Sequence, residues 1–441
     1  MEPRMVLSRL LESSRKAGAR GAEALYERRN SLRLEWTPRG EPRLLGAERL
    51  RIRLVVYLHE GRHAALLLEA ETPAGLLERA DTQLADLVAR AALAPPNPLA
   101  GPAERLDIEE RGLGLMDRRH AQLDLEDRRA VLQENVAGCL GVHPEISVVA
   151  GVYDEQVLQR AFASTRGVSS VEHGTRFRTR IAARLGRAGL VHSQHVASRQ
   201  FAGIASMPFG VDLGERLRRL TRPVELPAQP LPVILEARPL AHILRSLARA
   251  CVARDVDTGQ SFLAALPGRR VASPRLHVID DPTMPGGLYT RSFDDRGVAP
   301  APVVILREGV SAGLYLDPEA ARSADLRPTG HSMGGDILPS NLIMRPGSRT
   351  RNAIGMDLDD YLTIEDIHAE APVDAATGLL ETTCDLMLYR GHRLRGAIPG
   401  VTLRLPVTSL LAGIREVASD QLRVEEVDAS PVILDPLTFT T

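Results

Sequence analysis

Hydrolysis of a peptide bond at zinc needs two imidazoles that converge on one ion and a carboxylate to take the proton of the attacking water, most economically from one helix. The stretch PLAHILRSLARACVARDV (239–256) has the apolar spacing of such a helix but a single histidine, His242. No second histidine follows within two turns, and no acidic residue precedes Asp255, so this helix cannot supply that chemistry. His192 and His195 sit close together in LVHSQHVASRQ, where the alternation is strand-like. Residues i and i+3 of a strand face opposite ways, so the pair is not expected to share an ion. SSRK (13–16) has the Ser-x-x-Lys spacing of some acyl-enzymes, but there is no second lysine to build a Lys-Thr-Gly partner. No Gly-x-Ser-x-Gly elbow, Walker loop or dinucleotide fingerprint in a strand-to-helix context is found. PTGHSMGGD (328–336) could present backbone amides and the imidazole of His331 to a ligand, with Thr329 and Asp336 beside it; a tight structural loop is the alternative. The carboxylates of DLDDYLTIEDIHAE (357–370) read as a solvated face, an exposed helix followed by a strand. A metal site assembled from distant donors would have His331, His368 and Cys384 to draw on.

The elements around these residues follow from spacing. Val6, Leu7, Leu10 and Leu11 share one helical face, and the pattern fades near Gly18 and Gly21. Strands follow in SLRLEW and ERLRIRLVVYLHEGRHAALLLEA, with a hairpin turn at Glu60-Gly61-Arg62. Thr72-Pro73, an N-cap with proline at the first helical position, opens a helix that buries Leu76, Leu77, Ala80, Leu84, Leu87, Val88 and Ala91; PPNPLAGP (95–102) ends it. A helix over 124–140 is followed by strands at EISVVAGVYDE, VLQRAFAST, FRTRIAARL and LVHSQHVASRQ. The proline-rich TRPVELPAQPLP (221–232) marks the domain boundary. Beyond it come a short apolar strand at Val233–Leu235, the helix of 239–256, a hairpin in VVILREGVSAGLYLD turning at Glu308-Gly309, and a second in MLYRGHRLRGAI. The fold class predicted is α+β: an α/β domain with an antiparallel sheet over 1–222, then a β-rich domain over 223–441.

Composition narrows the function. With 441 residues, 44% hydrophobic and 25% charged, the chain is globular and large enough for two domains. A formal net charge of −1 with scattered basic residues offers no nucleic-acid footprint. Cys139, Cys251 and Cys384 are too widely spaced for a Cys-x-x-Cys metal knuckle and odd in number, which fits a reducing cytoplasm. Charges at Glu2, Arg4, Arg9, Glu12 and Arg15 interrupt any signal-peptide apolar region, and no later apolar run is long enough for a membrane span.

From the helix onward the order of motifs resembles the TldD/TldE (PmbA) family: PVILEARPLA, the helix, RLHVIDDP, RSFDDRGVAPAPVVILREGVSAGLYLD, RPTGHSMGGD, a late glycine-bearing hairpin and a closing LAGIREVASDQL. AGARGAEALYERRNSLRLEW and FASTRGV extend the likeness to nearly the whole chain. In that family a TldD-type subunit carries a His-Glu-x-x-x-His zinc motif and a metal-ligating cysteine near its carboxyl end. It pairs with a TldE-type subunit that lacks the motif, and together they act on unfolded or small peptides. The motif falls here on Arg245, Ser246 and Ala250, and the tail EEVDASPVILDPLTFTT has no cysteine.

The resemblance therefore implies a catalytically silent, TldE-like subunit with a β-rich PmbA/TldD-type second domain, no catalytic or metal residue of its own, and zinc in a TldD-like partner. Phe293, Asp294, Gly297, Thr329, Gly330 and His331 would line the shared peptide channel or interface. Two family patterns are altered, with Arg296 standing for a glutamate in Phe293–Val298 and Ala418-Ser419-Asp420 for Gly-Asn-Asp. Bulky residues in DAATGLLETTCDLMLYRG replace the usual small ones, which points to a differently shaped channel and a specialised role in maturing peptide natural products. The competing readings are a homo-oligomeric peptide-binding protein and an independent metallohydrolase built from distant donors. The family's older description as a modulator of DNA gyrase finds no support in the charge balance; neither nucleic acid nor membrane is an expected partner, and a homodimer remains open.

Overall fold

Alternating side chains organise the amino-terminal half into one sheet with two different faces. The computed structural model describes residues 1–37, 40–104, 112–187, 189–369 and 371–440. Helix α1 (Pro3–Lys16) leads into β1 (Gly21–Thr37), β2 (Gly40–Tyr57) and β3 (His63–Ala70); α2 (Pro73–Leu93) and α3 (Leu125–Leu140) precede β4 (Ile146–Ser164), β5 (Ser169–Leu185) and β6 (His192–Ser198); α4 (Phe201–Ala205) and α5 (Phe209–Arg219) follow. The six strands pair in the order β3-β2-β1-β4-β5-β6, antiparallel throughout. Thr72 caps α2 by accepting from the Gly75 amide at 3.1 Å, and Asp124 closes a reciprocal capping box with Asp127 on α3.

One face of the sheet takes the helices. Tyr26, Ile52 and Leu54 bury against Leu7 and Leu10 of α1 and Leu76 and Leu87 of α2. Further along, Leu34, Tyr153, Phe177 and Ile181 bury against Leu132 and Val136 of α3 and Leu213 and Leu217 of α5. The intervening residues have the opposite orientation. Among them Glu27, Arg160 and Glu172 sit side by side across three strands, Arg160 paired in register with both carboxylates, and this polar face meets the carboxyl-terminal half.

Residues 221–232 contain no helix or strand. Thereafter come β7 (Val233–Leu235), α6 (Ala237–Arg249), α7 (Ala253–Asp257), β8 (Val278–Asp280), β9 (Val303–Arg307), β10 (Val310–Ser311), α8 (Pro318–Ser323), β11 (Ser332–Met333), β12 (Asp336–Ile337), β13 (Leu342–Met344), α9 (Arg351–Gly355), β14 (Asp360–Ile367), β15 (Leu379–Arg390), β16 (Arg393–Pro406), α10 (Val407–Ala412), β17 (Ile414–Val417), β18 (Leu422–Val424), β19 (Val427–Ala429) and β20 (Val432–Leu434). They form two mixed sheets, β10-β9-β8-β13-β19-β18 and β16-β15-β14-β7-β20-β17, plus the small hairpin β11-β12. Helix α6 is buried on most of its circumference, with Leu240, Ile243, Leu244, Leu247 and Ala248 in one cluster with residues of both sheets.

The fold is α+β as the alternation predicts, and both late hairpins turn where expected. Three local expectations are corrected. The strands predicted at EISVVAGVYDE and VLQRAFAST are one, β4, kept continuous by pairing on both sides and bent at a bulge near Val148. The helix of 239–256 stops at Arg249 and resumes as α7, because Val252 bridges to Tyr315 and the Ala253 amide bonds to the Tyr315 carbonyl. The helix predicted at the start of 357–370 lies earlier, at α9, and Tyr361–Ile367 pair as an inner strand instead of forming a solvated face; Glu370 of that stretch is outside the described residues.

Candidate functional site

The turn from Phe293 to Gly297 lies at the joint between the two halves. Arg160 donates to Glu172 at 2.6 Å, to the Phe293 carbonyl at 3.2 Å and to Asp295, and its guanidinium stands 5.1 Å from the centre of the Phe293 ring. Glu172 in turn accepts from the Ser292 amide at 2.8 Å and hydroxyl at 2.7 Å. Burial alone would raise the Glu172 carboxyl; the Arg160 charge and the Ser292 hydrogen bonds outweigh it and hold it below the ordinary range. Arg296, the departure from the family pattern, reaches Glu23 of β1 at 3.2 Å and Glu319 of α8 at 3.0 Å. Asp294 ties the turn to itself and to the next loop, accepting from the amides of Arg296, Val298 and Ser332 at 2.9, 2.9 and 3.0 Å. Gly297 has φ +71°, and a Cβ there would fall 2.2 Å from the Phe162 ring, so close approach of the halves requires glycine.

The loop 328–336 is also built inward. The Thr329 amide donates to the Leu316 carbonyl at 3.0 Å, and its hydroxyl accepts from the Leu316 amide at 3.1 Å. Gly330 has φ +71°, and a Cβ there would fall 2.5 Å from Pro300 Cα. His331 packs on Tyr315 with the rings tilted by 40° and their centres 4.5 Å apart, and its Nε2 is 3.5 Å from Asp280. Asp280 accepts from the Tyr315 hydroxyl at 2.6 Å and from the Ser340 amide at 2.8 Å. Phe293, Asp294 and His331 are at most 1% exposed. In the isolated chain these six candidates therefore form a joint and its supporting loop, with the side chains of Phe293, Asp294 and His331 facing inward.

The position that the resemblance assigns to zinc is filled differently. Arg245 on α6 meets both acidic residues of the tail loop between β18 and β19, bonding Glu426 through Nε and, at 3.0 Å, Nη2, and Glu425 through Nη2 at 3.2 Å. His195, on the polar face of the first sheet, reaches Glu425 at 2.7 Å, and Arg178 lies 3.6 Å from the same oxygen. Burial raises the Glu425 carboxyl, but His195, Arg245 and Arg178 together bring it down to about 2. Glu426 is instead pushed up by its burial despite Arg245. The helix and tail thus come together, joined by a guanidinium with no lone pair to give a metal. Ser246 is occupied with the His242 carbonyl, and Ala250 has no donor; these residues do not fit a zinc ion.

Beside this cluster a cleft of about 270 Å³ opens between the halves, lined by Arg33, Asp154, Arg176, Arg178, Tyr289 and Glu425. The Arg176 guanidinium lies 4.8 Å from the centre of the Tyr289 ring. Reasoning from sequence singled out Arg245 only as a missing ligand and did not anticipate Glu425 and Glu426, although two adjacent acids between apolar strands are a visible signal.

The chain thus joins a long antiparallel sheet with one polar face to a β-rich half that encloses a buried helix. Residues 228–441 match the family model of the PmbA/TldA metallopeptidase C-terminal domain, so the carboxyl-terminal half is a domain of the PmbA/TldD type. A curated relative from Methanothermobacter thermautotrophicus, named a metalloprotease, is 26% identical over 185 residues, 40% of this chain and 40% of its own length. The match thus spans about two fifths of that relative. The fold is shared with TldE from Thermococcus kodakarensis, at 14% identity and TM-score 0.86 over 99% of this chain and all of that one. It is shared equally with a candidate modulator of a DNA gyrase from Thermotoga maritima, at 18% identity and TM-score 0.86 over 99% of each chain. Among the described residues no helix is long and apolar enough to cross a membrane.

Proposed function

We propose that this chain is the non-catalytic, TldE-like subunit of a heteromeric metallopeptidase that processes unfolded or small peptides, including precursors of peptide natural products. The zinc belongs to a TldD-like partner, and the complex works in the cytoplasm, where Cys139, Cys251 and Cys384 remain free thiols. The observation that carries the reading is Arg245: a buried cation, paired to two carboxylates, stands where an active subunit needs an imidazole. A second cation at that point repels a metal ion, and no nearby group on α6 replaces the general base. The polar cleft beside it, narrow and flanked by strands, suits an extended peptide better than a folded one, and the Phe293–Gly297 joint fixes the two walls relative to each other.

The test is a cleavage assay on unstructured peptides with this chain alone, with a TldD-like protein alone, and with both. Activity confined to or strongly raised in the mixture is the expected result. Cleavage by this chain alone would overturn the reading, and saturable peptide capture without cleavage in any combination would favour a homo-oligomeric binding protein.

A further inference from the structure

Three donor groups that this reading leaves unused meet where β6 of the first sheet approaches the β14-β15 ladder. His192 opens β6, His368 directly follows β14, and Asp385 lies in β15 opposite Asp366. One donor atom from each of His192, His368 and Asp385 lies within 4.8 Å of the other two. His368 Nε2 stands 3.0 Å from Asp385 Oδ2; His192 Nδ1 stands 3.6 Å from that same oxygen and 3.9 Å from Asp366 Oδ2.

The distances and burial point to a ligand. His192 is 6% exposed, and its Nδ1 stands between the two carboxylates, 3.6 Å from Asp385 and 3.9 Å from Asp366, within reach of both and closed on neither at ordinary hydrogen-bond length. Two donors on one tetrahedral zinc at ordinary bond lengths are about 3.3 Å apart, between the 3.0 and 3.6 Å found around Asp385 Oδ2. The outer contacts are also those of a metal site. The Gly400 amide holds Asp385 Oδ1 at 2.9 Å and leaves Oδ2 for the imidazoles, while Arg216 holds Asp366 at 3.0 Å. Arg216 and the buried Arg238 both offset Asp366, so Asp385 is the carboxylate left to the two imidazoles. His368, with 26% of its side chain exposed, gives access from solvent and room for a water.

We infer that His192, His368 and Asp385 bind one divalent transition-metal ion of the zinc class, which ties the amino-terminal sheet to the carboxyl-terminal half. Imidazole with carboxylate selects zinc or its neighbours over magnesium and calcium. The site lies off α6 and is structural, separate from the zinc expected in the partner.

The full chain, stripped with chelator and dialysed, is titrated with zinc by calorimetry and followed by thermal unfolding. One equivalent should bind and raise Tm in proportion to the logarithm of free zinc, and magnesium should do neither. His368→Ala, at a partly exposed position that tolerates the change, should weaken binding at least tenfold and abolish the zinc-dependent rise in Tm. His192→Gln provides a second variant from the other half. Absence of saturable binding, or equal binding by wild type and His368→Ala, overturns the inference. The outcomes are independent of the proposed function: zinc binding without cleavage leaves both standing, whereas cleavage by the loaded chain alone removes the silent-subunit reading and keeps the site.

Discussion

Replacing Arg245 with methionine keeps most of the packed stem but removes the charge that Glu425 and Glu426 share. Arg245, Glu425 and Glu426 have side chains 14%, 13% and 8% exposed, so the carboxylates cannot recover full hydration. Removing one member of such a buried pair costs about 3–5 kcal/mol. Glu425 still has His195 and Arg178, so the greater part of the cost falls on Glu426, whose carboxyl is already raised by burial with Arg245 in place. The sign with pH follows. A carboxyl whose folded pKa lies above its unfolded value destabilises the ionised fold, and that penalty fades as falling pH protonates it. Urea unfolding should therefore show a deficit of about 3–5 kcal/mol at pH 7.5 that shrinks as the pH is lowered to 5. Arg245→Met with Glu426→Gln should recover most of it at pH 7.5. A deficit below about 1 kcal/mol, or one equal at both pH values, would refute the claim that this pair is desolvated and mutually dependent.

Arg160→Met should cost about 3–5 kcal/mol, because Glu172 and Asp295 lose their shared cation inside the joint; limited proteolysis within 221–232 should accelerate in parallel, and an unchanged digestion rate would count against the joint. Gly297→Ala should destabilise by about 3 kcal/mol, combining the positive φ with a Cβ driven into the Phe162 ring; equilibrium unfolding reads this directly, and a neutral result would mean that the halves do not meet there. Glu425 is held down to about 2, so its contribution is complete above about pH 4.5 and is lost as pH falls toward 2. Glu425→Gln should therefore lower stability at pH 7 and converge with wild type in acid, as monitored by far-ultraviolet circular dichroism.

Much of this protein could be read along the chain because local physics decides it. Thr72-Pro73 and the Asp124 box start helices through hydrogen bonds made within four residues. Val233–Leu235 and the turns at Glu308-Gly309 and Gly391-His392 are set by short apolar or turn-forming runs. Even the opposed directions of His192 and His195 follow from the period of a strand: one side chain turns to Asp385, the other to Glu425.

What lies between segments was not legible. Arg160 reads as another charge on an alternating strand until the fold brings Glu172 and Asp295 to it, the latter 135 residues away. Asp385 looks like an interruption in CDLML until β14, β15 and β6 converge. The sequence alone determined that α6 carries no pair of imidazoles and no general base, since those are matters of residue type. Only the tertiary structure decided what occupies that place, because the charges that complete Arg245 come from a loop 180 residues further on, and desolvation, which makes their pairing obligatory, exists only once the halves have closed.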